Sequence, residues 1–365
     1  MTITKILQTI HLCTRLHWYN IKMNTSREFL NQNRLIGDPL TDNLVKQIFE
    51  KKEQAKFYKL LQMDSTAITE AEDSELKSFL VDIRPLPHWF DAERILKGQK
   101  FYRKFALPIM TLLGGLSLPY CYAASPGNKA LYLSDKMRKS PGKRLIDTAD
   151  FIITVSTALN ISENSEAQIS INKLRLIHAV ARYYILESSN WSMEWGIPIN
   201  QEDMAGTNLA FSYIIINGLQ KSGYMITERE KENFLALWRY IGYQLYIEDE
   251  LLPSTLKEAE LLERCIRIRH FKESEEGVTL AKELITYYKS MTKGMDSYLL
   301  ESQIRYWLGA SAADCVGLKA DKLKDTIVQT VNLFQESTNF YKVDSGSFKK
   351  MMESHQLLKR QLSNL

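Results

Sequence analysis

Apolar residues recur at helical spacing along most of this chain. The pattern typical of β-hairpins is an alternating run closed by Asn-Gly or Asp-Gly, and no clear example of it occurs in the sequence. Residues that commonly cap helices precede many of the amphipathic runs. The pattern therefore predicts an all-α protein.

Several helix starts are predicted from capping residues. Thr41 is the predicted N-cap of a helix over residues 41–61, and Asp91 the N-cap of a later one. Ser140, followed by proline, opens a helix that runs to residue 159. Thr227 with Glu230 forms a predicted capping box, and Thr255 with Glu258 forms another.

No low-complexity linker, repeat or shift in composition divides the chain. We predict a single multi-helix domain over residues 41–342. Residues 1–40 form an N-terminal extension, partly disordered or a peripheral helix, and residues 343–365 form a C-terminal tail.

A histidine interrupts the apolar helical run KLRLIHAVARYY, residues 173–184. Arg175, His178 and Arg182 lie at i, i+3 and i+7, so they form one stripe on the helix. The neighbouring apolar residues are expected to be buried: Leu174, Ile177, Val180, Ala181 and Tyr184.

Two interpretations of this stripe stay open. Buried charge is costly without a partner, so the stripe faces either carboxylates of the same protein or an anionic ligand. In the first case His178 hydrogen-bonds within the core while the arginines pair with Asp or Glu. In the second, a cofactor with carboxylate arms carries a metal that needs a nitrogen ligand.

A second polar intrusion lies in the predicted helix over residues 140–159. Arg144, Thr148, Phe151 and Val155 share one face, so a charge and a hydroxyl interrupt an apolar surface. The alternative is structural: the arginine pairs with a neighbouring helix, and the threonine bonds the carbonyl four residues earlier.

Composition narrows the classes of function. The 47 basic and 43 acidic residues nearly balance, at a net charge of +4, which argues against a nucleic-acid surface. The four cysteines are widely separated, which suggests neither a zinc site nor a disulfide framework. The segment Ala106 to Ala124 is nearly long enough to span a bilayer, but its prolines and paired glycines favour a buried core helix.

Common catalytic motifs are missing from the sequence. No glycine-rich phosphate loop, HExxH, GxSxG or EF-hand pattern occurs, and no Glu-x-x-His pair of the kind found in di-iron bundles. Ordinary hydrolase and nucleotide chemistries therefore lack their minimal parts.

An ordered set of motifs carries a resemblance to a known family. LPHWFD, a glycine-interrupted apolar helix, KRLIDTADF, KLRLIHAVARYY, WGIPINQED and LWRYIGYQLYIEDELLP follow one another over roughly residues 80 to 255. Together they resemble the latex-clearing proteins (rubber oxygenases) and MpaB-like oxygenases. That resemblance implies an all-helical fold with a haem b pocket between core helices.

The resemblance also implies roles for individual residues. His178 matches the family's iron ligand, and Arg144 and Thr148 match polar residues above the haem. Arg175 or Arg182 would hold the propionates. Dioxygen and a hydrophobic, unsaturated small molecule are then the expected partners, with no nucleic acid and no stable transmembrane insertion.

The chain also departs from the family's pattern. Asp147 stands where latex-clearing proteins carry a lysine, and Asn128 stands where they carry a glutamate proposed as a base. An amide cannot accept a proton as a carboxylate does, so the rubber-cleaving mechanism does not transfer unchanged. We read Asp147 as a further catalytic candidate.

Two alternatives remain beside a haem oxygenase. One is a haem-binding or helical interaction protein that kept the fold without the chemistry, and the other is haem-free catalysis at an acid pair. The family's rubber oxygenases are exported, whereas the twin-arginine signal is missing here, so we expect a cytoplasmic protein.

Overall fold

Helices make up the regular structure of this protein in a computed structural model that describes residues 23–72, 74–134, 141–157, 165–337 and 346–363. Within these ranges the backbone pairing of β type is a single bridge between Ala124 and Phe271. The all-α prediction is therefore confirmed.

The helices follow one another in this order. The first group is α1 (Arg27–Asn33), α2 (Pro39–Glu50), α3 (Gln54–Gln62), α4 (Ser65–Glu70), α5 (Glu75–Val81), α6 (Ala92–Lys104) and α7 (Ala106–Leu112). A π-helical turn (Leu113–Ser117) leads into α8 (Leu118–Ala123), α9 (Gly127–Leu133), α10 (Pro141–Thr157) and α11 (Glu166–Glu187). The last group is α12 (Gln201–Phe211), α13 (Tyr213–Lys221), α14 (Glu228–Gln244), α15 (Leu256–His270), α16 (Glu275–Met291), α17 (Gly294–Leu308), α18 (Ala310–Cys315), α19 (Lys322–Ser337) and α20 (Ser347–Ser363).

The main core forms where α6 crosses α14. Gly98 permits the close approach, because a Cβ there would lie 2.5 Å from the backbone oxygen of Asn233. Phe101 and Phe234 then pack with their ring centroids 4.9 Å apart. Aromatic burial of this kind stabilises such a crossing.

The apolar segment Ala106–Ala123 runs continuously through α7, the π turn and α8. It is long and apolar enough to cross a membrane, and 56% of it is buried inside the protein. Leu112 and Tyr122 are each almost fully buried by neighbouring helices. These contacts favour its interpretation as a core helix.

Most predicted helix starts lie where the capping residues placed them. Thr227 and Glu230 form the reciprocal capping box at α14. The side chains of Asp91 and Thr255 accept hydrogen bonds from backbone amides at the starts of α6 and α15. The caps at Asp91, Thr227 and Thr255 are confirmed, because a cap depends on residues only three positions apart. The capping box predicted for Thr255 with Glu258 forms only in half, since the Glu258 carboxylate accepts from the backbone N–H of Ser254 at 2.7 Å.

The predicted helix over residues 41–61 is wrong in its start and its continuity. Asp38 is the N-cap, with Pro39 in the first turn, so Thr41 lies inside the helix. The helix ends at Glu50, and Lys52 adopts a φ of 59° before α3 begins. Ser140 lies outside the described residues.

A buried network of charges holds the N-terminal segment against the core. Glu202 is completely buried, and Arg269 donates to its Oε1 at 2.8 Å. His270 Nε2 lies 3.0 Å from Glu202 Oε2, and Arg34 Nη1 donates to Asp203 Oδ1 at 2.9 Å. Residues just before residue 41 thus contribute to the interior, whereas the domain boundaries at 40 and 342 stay predictions.

We expect the stability of this network to depend on pH through Glu202. Burial acts to raise the pKa of Glu202, but hydrogen bonds from His270 and Arg269 outweigh it and hold the pKa below the ordinary 4.5. The unfolded state therefore binds the proton first as pH falls, and the contribution present above pH 4.5 is lost in acid. Glu202→Gln should cost about 3 kcal/mol in urea unfolding at pH 7.

The difference between wild type and Glu202→Gln should shrink as the pH is lowered from 7 to 3.5. Glu353→Gln is the matched control, because Glu353 is exposed and its ion pair with Lys349 is long, at 3.9 Å. A constant difference across this pH range would show that Glu202 is not the titrating group.

Candidate functional site

Two adjacent helices carry the polar residues singled out in the sequence. The chain packs α10 against α11, so the helix with Arg144 and Thr148 faces the helix with His178. The positive charge of Arg144 acts directly on the ionisation of His178. The structure therefore brings together the two polar intrusions, which lie on successive helices of the chain.

The imidazole of His178 is dehydrated but not fully packed. Desolvation, with smaller contributions from Arg182 and Arg144, lowers the pKa of His178 to about 3. The residue nevertheless retains some accessible surface, so its ring is not completely enclosed by other side chains. In the described part of the chain it has no hydrogen-bond partner, so at neutral pH it offers a free nitrogen lone pair.

The two arginines beside it are held by carboxylates from α2. Arg175 Nε donates to Asp38 Oδ2 at 2.8 Å, and both side chains are buried. Arg182 Nε donates to Asp42 Oδ1 at 2.7 Å, and its Nη1 donates to the backbone oxygen of Ile199 at 3.1 Å. Pairing with Asp, one of the two open interpretations, is therefore what the arginines do.

One guanidinium nitrogen of this pair remains available. Arg182 Nη2 is buried, and within the described ranges no acceptor reaches it. Arg175 has both edges engaged, by Asp38 and by Asn172 Oδ1 at 3.3 Å. The role of Arg175 or Arg182 in holding propionates stays a prediction, and the geometry favours Arg182 for it.

The expected burial around the stripe is wrong for two residues. Ile177 is 40% exposed and Tyr184 is 51% exposed. The physical reason is that the ion pairs with Asp38 and Asp42 turn the arginine side of α11 inward. Burial here follows charge pairing and not the count of apolar residues.

The same rotation leaves an apolar surface around the imidazole. Ile177 precedes His178, while Leu174 and Ala181 lie four residues before and three after it, and all three retain accessible surface. These three side chains offer apolar contact to a hydrophobic group beside the ring nitrogen. The arrangement is suited to an apolar cofactor with a central metal.

Of the two polar side chains on α10, Thr148 bonds within its own helix and Arg144 has no bonding partner in the described ranges. Thr148 Oγ1 donates to the backbone oxygen of Arg144 at 2.8 Å, which is the structural alternative for this hydroxyl. The guanidinium of Arg144 has neither hydrogen bond nor ion pair among the described residues. Desolvation lowers the pKa of Arg144, although Tyr122 and Asp147 act in the opposite direction.

Asp147 lies on the exposed side of α10. Its carboxylate reaches Arg144 electrostatically, but the structure gives it no bond into the space beside His178. The catalytic roles of Arg144, Thr148 and Asp147 therefore stay predictions, and Arg144 has the most direct access to the site.

Asn128 holds helices together. Its Nδ2 donates to the backbone oxygen of Tyr122 at 2.7 Å and to Ser274 Oγ at 2.8 Å. The side chain is buried at the joint between α8, α9 and the start of α16. The amide thus fixes the packing at the position where the resemblance expected a base.

Sequence reasoning missed three residues of this site. Asp38 and Asp42 lie about 140 positions before their arginine partners, and no local signal links them. Tyr122 was hidden in the apolar segment, although a hydroxyl there was a visible signal. Its oxygen is buried and has no partner in the described ranges.

A haem b, which the resemblance implies, needs fewer protein ligands than a metal ion held by side chains alone. The described residues contain no group of three or more His, Cys, Asp and Glu side chains that could hold a metal ion. A porphyrin supplies four nitrogens itself and asks the protein for one axial ligand, which the unpaired His178 can provide. Arg182 Nη2, which no acceptor reaches in the described ranges, is a cationic donor suited to one of its carboxylates.

Two surface clefts lie elsewhere. A cleft of about 540 Å³ between α2 and α5 is bordered by Leu44 and Phe79, and one of about 550 Å³ is bordered by Lys221 and Tyr306. Neither is lined by His178, Arg144 or Thr148. Both are open grooves, whereas the polar groups described above are dehydrated.

Comparison with known families now decides the relationship. Residues 102–321 match the family model described as "ER-bound oxygenase mpaB/B'/Rubber oxygenase, catalytic domain", which covers more than half of the chain and includes α10 and α11. The chain belongs to this family. The rubber oxygenase and MpaB-like resemblance seen in the motifs is thereby confirmed.

Individual relatives of the rubber oxygenase family agree with this placement. The rubber oxygenase of Streptomyces sp. (strain K30) is 22% identical over 259 residues, which is 70% of this chain and 63% of that protein. The chain thus matches less than two thirds of that relative's length. The structure of the latex clearing protein LCP in the closed state superposes with a TM-score of 0.72 at 20% identity, over 89% of this chain and 90% of the other. This likeness confirms a single all-α domain of the rubber-oxygenase type.

We expect the Asp38–Arg175 pair to be needed for the fold of this family member. Asp38→Asn keeps an N-cap acceptor but removes the charge that faces a buried guanidinium, so it should lower the free energy of unfolding by about 3 kcal/mol. Glu50→Gln, in the exposed pair with Lys46 at 3.9 Å, is the control and should change stability by less than about 0.5 kcal/mol. Equal effects in urea unfolding would contradict the assignment.

Proposed function

We propose that this chain is a haem b-dependent oxygenase acting on a hydrophobic unsaturated small molecule, and that the imidazole of His178 would hold the iron. The single observation that carries the proposal is the imidazole itself: dehydrated, neutral, unpaired within the described residues and set in an apolar face. Membership of an oxygenase family supports the reaction class.

The side chains around His178 would each contribute to binding or orientation. Haem b, when bound, supplies the redox chemistry that activates dioxygen. The nitrogen of His178 would hold the iron, and Arg182 Nη2 would bind a propionate. The Asp38 and Asp42 pairs fix the rotation of α11 and so fix the direction in which the imidazole points.

Arg144 would act on the substrate side of the site. Its guanidinium stays cationic despite dehydration and has no protein acceptor in the described ranges, so it can stabilise negative charge that develops on oxygen. Leu174 and Ile177 present apolar surface that excludes water and favours a hydrocarbon chain. Oxidative cleavage or oxygenation of a carbon–carbon double bond is the reaction that we assign to this environment.

Haem binding tests the proposal directly. Wild-type protein from haem-supplemented cells should carry about one haem b per chain by the pyridine haemochrome assay, since one axial imidazole holds one iron. His178→Ala should lose stoichiometric haem while keeping its helical circular dichroism. His88→Ala, at an exposed histidine, is the matched control and should retain the wild-type haem content.

Retention of the wild-type absorption spectrum by His178→Ala would remove His178 as the ligand. A well-folded wild type that binds no haem after reconstitution would overturn the oxygenase proposal as a whole.

A second candidate function is haem or ligand binding without turnover. The observation that favours it is Asn128, whose amide is committed to Tyr122 and Ser274 and cannot act as a base. Oxygen uptake with a panel of unsaturated terpenoids and carotenoids distinguishes the two functions. Binding without oxygen consumption across the panel would favour the second candidate.

A further inference from the structure

Polar groups from three helices meet deep in the protein beyond Arg144. The helix α16 packs against α8 and against α10, and Arg144 of α10 and Glu283 and Tyr288 of α16 all act electrostatically on Tyr122 of α8. Residues of three different sequence regions thus meet at one buried phenol. The mechanism proposed above uses only Arg144 of this set.

Tyr122 is the centre of the group. Its side chain is fully buried, and its hydroxyl has no hydrogen-bond partner in the described part of the chain. Desolvation raises the pKa of Tyr122, and Arg144, Tyr288 and Glu283 all act on it electrostatically. The hydroxyl therefore stays protonated and offers a hydrogen to any acceptor that reaches it.

Glu283 offers the complementary atom. Its Oε2 is buried and accepts no hydrogen bond from the described residues, and the side chain makes no ion pair with them. The Tyr288 hydroxyl lies against the π turn, because a Cβ on Gly114 would overlap it. An unused donor and an unused acceptor are thus buried in one region.

Such groups select among apolar ligands. A buried donor or acceptor without a partner costs about 1–3 kcal/mol, and a pure hydrocarbon leaves that cost in place. An alcohol can accept from one group and donate to the other, so it removes both costs. A carboxylate would bind Arg144 but would bring a second negative charge toward Glu283.

We propose that this cluster binds the hydroxyl end of an otherwise apolar substrate, with Tyr122 donating to the hydroxyl oxygen and Glu283 accepting its hydrogen. The proposal rests on the proposed function, since it assumes that the hydrophobic substrate enters beside His178. It narrows the substrate class to long-chain unsaturated alcohols. Tyr122 and Glu283 then determine specificity.

The test compares ligands that share one chain and differ in the end group. Farnesol, farnesene and farnesoic acid are titrated into the purified full-length protein, and binding is followed by isothermal calorimetry. Farnesol should bind at least about tenfold more tightly than farnesene, which corresponds to one satisfied polar pair. Tyr122→Phe and Glu283→Met should each weaken farnesol about tenfold and leave farnesene unchanged.

Tyr298→Phe, at a half-exposed phenol on α17, is the control and should bind all three ligands as wild type does. Equal binding of alcohol and hydrocarbon, tightest binding of the acid, or unchanged farnesol binding in both variants would each overturn the proposal. Haem content is measured on the same samples. Full haem loading without a preference for the alcohol defeats this inference alone, whereas a preference without haem defeats only the proposed cofactor.

Discussion

The arrangement of the site depends on two carboxylates at the start of α2. Asp38 and Asp42 face Arg175 and Arg182 on α11, and three of these four side chains are almost completely buried. Unpaired, each guanidinium would cost several kcal/mol in the interior. The pairs therefore decide which side of α11 faces inward, and the direction of His178 follows from that choice.

Dehydration then gives the neighbouring groups their chemical character. The same burial that keeps His178 neutral leaves Arg144 a cation with neither hydrogen bond nor ion pair in the described ranges. A neutral nitrogen ligand and an unmatched positive charge on adjacent helices are useful together, because one binds a metal and the other attracts an anion or a developing oxyanion. Tyr122 extends this dehydrated region away from the imidazole.

The sequence could predict what depends on near neighbours. Helical class and the caps at Asp91, Thr227 and Thr255 rest on residues within one turn, and the stripe of Arg175, His178 and Arg182 follows from helical geometry. Partners could not be predicted, because Asp38 reaches Arg175 across 137 positions. The predicted burial of Ile177 and Tyr184 is wrong for the same reason, because tertiary ion pairs set the rotation of the helix.

The π turn at Leu113–Ser117 determines the directions in which the side chains of α8 point. One extra residue in a turn rotates the downstream helix by about 100° relative to a continuous α-helix. If one helical period is applied to the whole segment from Ala106 to Ala123, the buried and exposed positions of one half are therefore assigned wrongly. The change in phase directs the side chain of Tyr122 into the interior, where it is fully buried. The π turn therefore aligns a buried hydroxyl with helices from elsewhere in the chain.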